Sequence, residues 1–178
     1  MTGALVGFMV LLAGLLALNL LATFGLVRRV REHEQQLSER DATNVRLGLP
    51  VGTPLPPFHV TDASGHDLHP ATWPSQVVVA FFSTTCDACR DHLPPFLEWA
   101  TQHDRDATVC VIDGPIPDAL AMAGSAGSVT RLVLEPAAQR LASAFGITGI
   151  PVLFQVTDGR VTASGTRMQQ LPLIQAAS

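Results

Sequence analysis

Val77-Val78-Val79-Ala80-Phe81-Phe82-Ser83-Thr84-Thr85-Cys86-Asp87-Ala88-Cys89-Arg90 is the stretch on which the reading of this chain turns. Six apolar residues in succession, half of them β-branched, suit a strand buried on both faces. Beyond Thr85 the pattern changes. Cys86 to His103 carries Leu93, Phe96, Leu97 and Ala100 on one side, the spacing of a helix, and Pro94-Pro95 is expected to kink or restart it. Cys86 therefore falls between a buried strand and the first helical turn. Backbone N–H groups are unpaired there and the helix dipole is positive, so negative charge on sulfur is favoured. Cys89 lies one turn on, within reach for a disulfide. The spacing predicts a redox pair: Cys86 attacks a substrate disulfide, and Cys89 resolves the mixed disulfide, or the cycle runs in reverse.

Working outward, Phe58–Thr61, a turn at residues 62–65 and Asp67-Leu68 read as a short hairpin. Thr108–Ile112 reads as a second buried strand, followed by a short helix near Asp118–Ala123, a Gly/Ser loop and a strand at Arg131–Leu134. Pro136 opens a helix over Ala137–Phe145 with Gly146 at its C′ position. Val152–Val156, Asp158-Gly159 and Val161–Ala163 form a hairpin with a two-residue turn, and Met168–Ala177 reads as a closing helix interrupted at Pro172. Crossover helices imply parallel strands and the last hairpin adds antiparallel ones. The expected fold is α/β, a mixed central sheet flanked by helices.

The chain has 178 residues, with 11 Arg and no Lys against 15 acidic residues, a net charge of −4. Charged residues make up 15%, below the usual roughly 25%, which argues against a disordered acidic tail and against a basic nucleic-acid binder. The deficit is concentrated at the amino end. After a short tail, residues 1–4, Leu5 to Val27 is 23 residues long with Asn19 as its one strong polar interruption, the length of a membrane-spanning helix. A cleaved signal peptide fits less well, since no basic region precedes the run and no clear cleavage site follows. Residues 28–49 read as a polar stalk, broken by Gly48, Pro50, Gly52 and Pro54, with one domain at residues 50–178.

Three cysteines are too few for a disulfide scaffold. The two in the C-x-x-C would make half of a zinc site, but only Cys110, His92 and His103 are available to complete it, at no recognised spacing, so no metal is expected and no cofactor is implied. Cys110 stands in an apolar strand and reads as a small buried hydrophobe. Trp73 and Trp99 read as packing residues.

Together these residues resemble a known family. Cys86-x-x-Cys89 after a buried strand, with Ile150-Pro151 opening a late strand before a hairpin, resembles the thioredoxin fold. Gly52-Thr-Pro54-Leu-Pro56-Pro57-Phe58 resembles the G…P-x-F opening of its redoxin branch, and Cys89-Arg90-Asp91-His92-Leu93-Pro94 resembles that branch's C-R-x-E-x-P. With the apolar segment added, the chain looks like the membrane-anchored thiol-disulfide oxidoreductases of the TlpA, ResA and MauD type. The resemblance spans about residues 50–165. It implies that Pro151 is cis with its loop facing the cysteines, that protein dithiols and disulfides are the substrates, and that an unidentified electron donor or acceptor completes the cycle. The chain departs from the pattern at three places. Thr85 replaces the usual Trp, Ala80 the buried acid, and His92 the Glu of the branch. Both usual proton acceptors for the second thiol are thus missing, and His92, three residues after Cys89, is the candidate substitute. Asp87 should disfavour the Cys86 thiolate and Arg90 should favour it.

Two other functions compete. Phe82-Ser83-Thr84-Thr85-Cys86 resembles the F-T-x-x-C of a peroxiredoxin, although Val79 stands where that family has Pro and Cys89 would be superfluous. A tethered Cu(I) chaperone would use Cys86, Cys89 and a His, although the copper-delivery relatives space their cysteines further apart. The membrane side has opposing signals. Arg28, Arg29 and Arg31 favour a cytoplasmic domain, whereas the family resemblance favours the extracytoplasmic face.

Overall fold

The computed structural model describes residues 47–172, together with Phe8, Met9, Leu11 and Gly14. Those four are helical, and the rest of the proposed membrane segment lies outside the described residues. Among the described residues no helix is long and apolar enough to cross a membrane.

Residues 47–172 belong to one compact unit, Arg46–Ser178. Packing begins before Pro50. Leu49 N–H donates to Phe145 O at 2.9 Å, and Leu47 and Leu49 rest against the core. Gly48 allows this approach, because a β-carbon there would meet the Phe154 ring and the Phe145 carbonyl within 3 Å.

The chain then runs through a small antiparallel hairpin, β1 (Val60–Thr61) and β2 (Asp67–Leu68), into β3 (Gln76–Ser83) and α1 (Asp87–Ala100). Next come β4 (Thr108–Asp113), α2 (Ile116–Ala123), α3 (Ala126–Val129), β5 (Arg131–Val133) and α4 (Ala137–Ala144). The hairpin β6 (Val152–Thr157) and β7 (Arg160–Gly165) closes a five-stranded sheet of order β5-β4-β3-β6-β7. The strands β3, β4 and β5 are mutually parallel, while β6 runs antiparallel to β3, and β7 to β6. Helical crossovers and a terminal hairpin produce this mixed pattern directly.

Alternation along the central strands divides the core between the two faces of the sheet. Val77, Val79, Phe81, Val109, Val111 and Val133 pack with Leu141 of α4, with Phe145 and with Leu68 of the first hairpin. Val78, Ala80, Phe82, Cys110 and Ile112 pack with Cys89, Leu93 and Phe96 of α1 and with Ala119 and Ala123 of α2. The central strand β3 is therefore apolar on both sides, which is why its sequence shows a continuous run rather than alternation.

Four local expectations are corrected. The helix α1 passes through Pro94 and Pro95 as one element. Both prolines lie on its exposed side, and the buried stripe Cys89, Leu93, Phe96 and Ala100 holds it to the sheet. It also ends at Ala100 rather than His103, where Thr101 Oγ1 donates to Glu98 O and His103 Nδ1 meets Trp99 O at 2.8 Å. The Gly/Ser loop contains the short helix α3, tied down by buried Ala126, whose carbonyl accepts from Thr130 Oγ1. Over the described part of the expected closing segment there is a single 3₁₀ turn, Met168–Gln170, rather than an α-helix. Leu171 is extended, as a residue before proline prefers, and residues 173–178 lie outside the described set.

Candidate functional site

Cys86 is the N-cap of α1, with extended backbone dihedrals. Its own N–H donates to Ser83 O at 3.3 Å, and its sulfur accepts the Cys89 N–H at 3.2 Å. One of the unpaired donors of the first turn is thus aimed at the sulfur. Cys86 is partly exposed, while Cys89 is 0% exposed beneath it. Burial, then the hydrogen bond to Cys86 and its charge, pushes the Cys89 thiol up to about 12, against a smaller opposing effect of the Ser83 backbone. The first sulfur is accessible and the second is protected. A nucleophile and a resolving thiol need that division.

The Ile150–Pro151 peptide is cis, and Cys86 Sγ lies 3.9 Å from Ile150 O. Pro151 is buried and Ile150 is 37% exposed, so the loop offers an apolar edge and a backbone carbonyl beside the Cys86 sulfur. Asp87 and Arg90 face solvent in the first turn, 4.0 Å apart. His92 stands one turn further. Burial first, and then the Arg167 guanidinium, hold its imidazole below the ordinary value, against the opposing charge of Asp91. The hydrogen bonds of Cys89 involve Cys86 and Ser83. Ala80, at the position where thioredoxins carry an acid, packs in the same apolar cluster as Cys89. No carboxylate reaches Cys89 from that position of β3.

Three features of the site were not read from the sequence. Ser83 Oγ lies 3.1 Å from Thr85 Oγ1 and accepts the Thr85 N–H at 3.3 Å, bracing the loop before Cys86. A cavity of about 680 Å³ opens next to that loop, between α1 and α2, lined by Thr84, Thr85, Arg90, Pro94, Asp118 and Met122 among others. Two carboxyls, Asp113 and Glu135, lie in contact at the ends of neighbouring strands. Only the last left a signal in the sequence, an acid at or just past the end of each of two parallel strands.

Cys110 is fully buried in β4, and burial pushes its thiol up, as befits an inert core residue. Trp73 packs against Phe58 and Phe145, and Trp99 stacks on His103 and Phe96. Among the described residues no group of three or more His, Cys, Asp or Glu side chains is placed to hold a metal ion.

No protein-family model matches this chain, and none of the curated proteins does. Solved structures do match. The thioredoxin domain of a thiol-disulfide oxidoreductase from Bacteroides vulgatus superposes with a TM-score of 0.57 at 20% identity, covering 69% of this chain and 93% of its own. A thio-disulfide isomerase from Thermus thermophilus gives 0.55 at 22% identity, covering 67% and 87%. A thiol:disulfide interchange protein of the thioredoxin family from Chlorobium tepidum gives 0.51 at 21%, covering 73% and 90%. Likeness at this level of identity defines the fold, a mixed α/β thioredoxin-like fold with its central sheet flanked by helices.

Proposed function

We propose that this chain is a thiol-disulfide oxidoreductase acting on protein disulfides or dithiols, with Cys86 as nucleophile and Cys89 as resolving thiol. One observation carries the reading. A partly exposed sulfur caps a helix and accepts the N–H of a buried cysteine one turn on, next to a cis-proline loop. In the reducing direction, Cys86 thiolate attacks one sulfur of a substrate disulfide. A mixed disulfide forms, and the departing substrate thiolate takes up a proton. Cys89 then loses its proton and attacks Cys86 Sγ, releasing the second substrate thiolate. Two electrons have passed to the substrate and the chain holds a Cys86–Cys89 disulfide, which an external dithiol must reduce. Run backwards, the same steps oxidise a substrate. The cavity beside Thr84 and Thr85 gives a partner segment room next to Cys86.

His92 is the proposed acceptor of the Cys89 proton. The neutral imidazole that this role requires is the form favoured by its burial and by Arg167. Asp87 and Arg90 tune Cys86, and the Ile150–Pro151 loop meets the substrate backbone. The chain is further proposed to be anchored through residues 5–27, in the manner of the TlpA, ResA and MauD branch. Which side of the membrane the domain occupies is decided by labelling Cys86 in intact cells with a membrane-impermeant thiol reagent, with and without prior reduction.

The central test compares Cys86→Ser, Cys89→Ser and the double variant in reduction of insulin by dithiothreitol. Cys86→Ser should lose exchange, and Cys89→Ser should accumulate mixed disulfides. A double variant as active as the parent would falsify the assignment.

A further inference from the structure

Asp113 and Glu135 each stand two residues beyond Val111 and Val133, which are registered partners on the parallel strands β4 and β5. Continuing that register by two residues sets the carboxyls side by side, on the sheet face covered by α4. Glu135 Oε1 accepts the Gly114 N–H at 3.1 Å and the Gln139 Nε2–H at 3.1 Å. Gly114 has a φ of 136°, a value that suits glycine, and a β-carbon there would run into the Thr84 side chain. Thr84 N–H in turn donates to Asp113 O at 3.0 Å. Glu135 therefore holds Gly114, Gly114 abuts Thr84, and Thr84 leads through Thr85 to the reactive sulfur.

We propose that Glu135 is a positioning residue for exchange at Cys86: its carboxylate fixes Gly114 against Thr84 and thereby sets the loop that presents Cys86 to the helix start. The proposal rests on the redox reading of Cys86 and Cys89 given above. Asp113 keeps the Glu135 carboxyl in place from the β4 side, and Gln139 does so from α4. Arg140 and Asp62 line, with Glu135, a second and separate cavity, but Asp62 is engaged by Arg131 at 3.2 Å. Loss of the carboxylate leaves the Gly114 N–H without its partner and frees Thr84 to shift. The Cys89 N–H then no longer meets Cys86 Sγ in a fixed geometry.

The test measures the rate at which iodoacetamide alkylates Cys86 at neutral pH in the full chain, and the equilibrium of the Cys86–Cys89 pair with glutathione. Glu135→Ala should slow alkylation about fivefold, the net scale of one ordinary hydrogen bond, and shift the equilibrium. Glu135→Gln keeps an oxygen for Gly114 and should restore the rate to within about twofold of the parent. Gly114→Ala displaces Thr84 from the other side and should change the rate while Glu135 is intact. A folded Glu135→Ala protein alkylated at the parent's rate overturns the proposal, and so does a Glu135→Gln protein as slow as Glu135→Ala. Should Glu135→Ala fail to fold, the parent's rate in Gly114→Ala overturns it instead. Alkylation needs no protein partner. Loss of insulin reduction by the parent would therefore refute the proposed function and leave this measurement standing, while unchanged alkylation would refute the positioning role alone.

Discussion

Asp87 is fully exposed in the first turn of α1, and Arg90 answers it at 4.0 Å. The negative charge next to Cys86 is thus offset by a positive one in an exposed pair. Removing it with Asp87→Asn leaves Arg90 alone beside the sulfur, which stabilises the reduced thiolate form. The pair should become more oxidising by roughly 10 mV, read against a glutathione buffer; an unchanged or more negative potential argues against this role. His92 is tested by kinetics. If it takes the Cys89 proton, His92→Ala should move the pH–rate profile of disulfide reduction to higher pH, because Cys89 has no other acceptor from β3. A superimposable profile removes His92 from the mechanism.

At the scale of elements, the first hairpin is pinned to the edge of the sheet. Ala63 N–H donates to Leu132 O of β5 at 2.8 Å. The Asp62 side chain, fully buried, accepts the Ser64 and His66 N–H groups and meets Arg131, which also bonds Asp106 at 2.7 Å. Burial alone would raise the Asp62 carboxyl, but the His66 and Ser64 N–H groups and Arg131 outweigh it and hold it below its ordinary value. Asp62 therefore contributes stability that is present above its ordinary value of 3.8 and is lost as pH falls through the lower folded value. Asp62→Asn should cost about 2 kcal/mol near neutral pH, with the gap to the parent closing in acid. Asp113 behaves in the opposite sense. Burial, then Glu135, raises it, so its contribution is complete below its ordinary value and fades as pH rises through the folded one. Asp113→Asn mimics the protonated form without titrating. Thermal melts should show it gaining on the parent as pH increases, and the reverse trend would contradict the raised Asp113 carboxyl.

Considered whole, the molecule places Cys86 where β3 ends and α1 begins, with the cis loop before β6 meeting it from the neighbouring strand. That centre draws on elements 64 residues apart in sequence, all of them within the unit Arg46–Ser178. Residues 46–178 alone should consequently keep the melting temperature of the full chain to within about 2 °C and the same rate of insulin reduction. A fragment that unfolds or loses exchange would mean that the first 45 residues contribute to the site. Because α1 and α2 cover one face of the sheet and α4 the other, Cys89 and the Asp113–Glu135 pair approach the loop before Cys86 from opposite sides.

The amino-acid order determined the central strand, the helix that follows it, the cysteine pair at their junction and the Asp158-Gly159 turn, whose two residues both adopt positive φ. Each of these rests on contacts between residues near in sequence, where hydrophobic periodicity and turn chemistry act directly. The same local rules misjudged Pro94-Pro95, the end of α1 and the closing segment, because there burial against the sheet or a single side-chain bond outweighs local preference. Only the tertiary structure decided that Cys89 is sealed from solvent, that Ile150 O faces Cys86 from the neighbouring strand, and that Glu135 reaches Gly114. Strand register and helix packing set those distances, and register is a property of pairs of segments, invisible along any one of them.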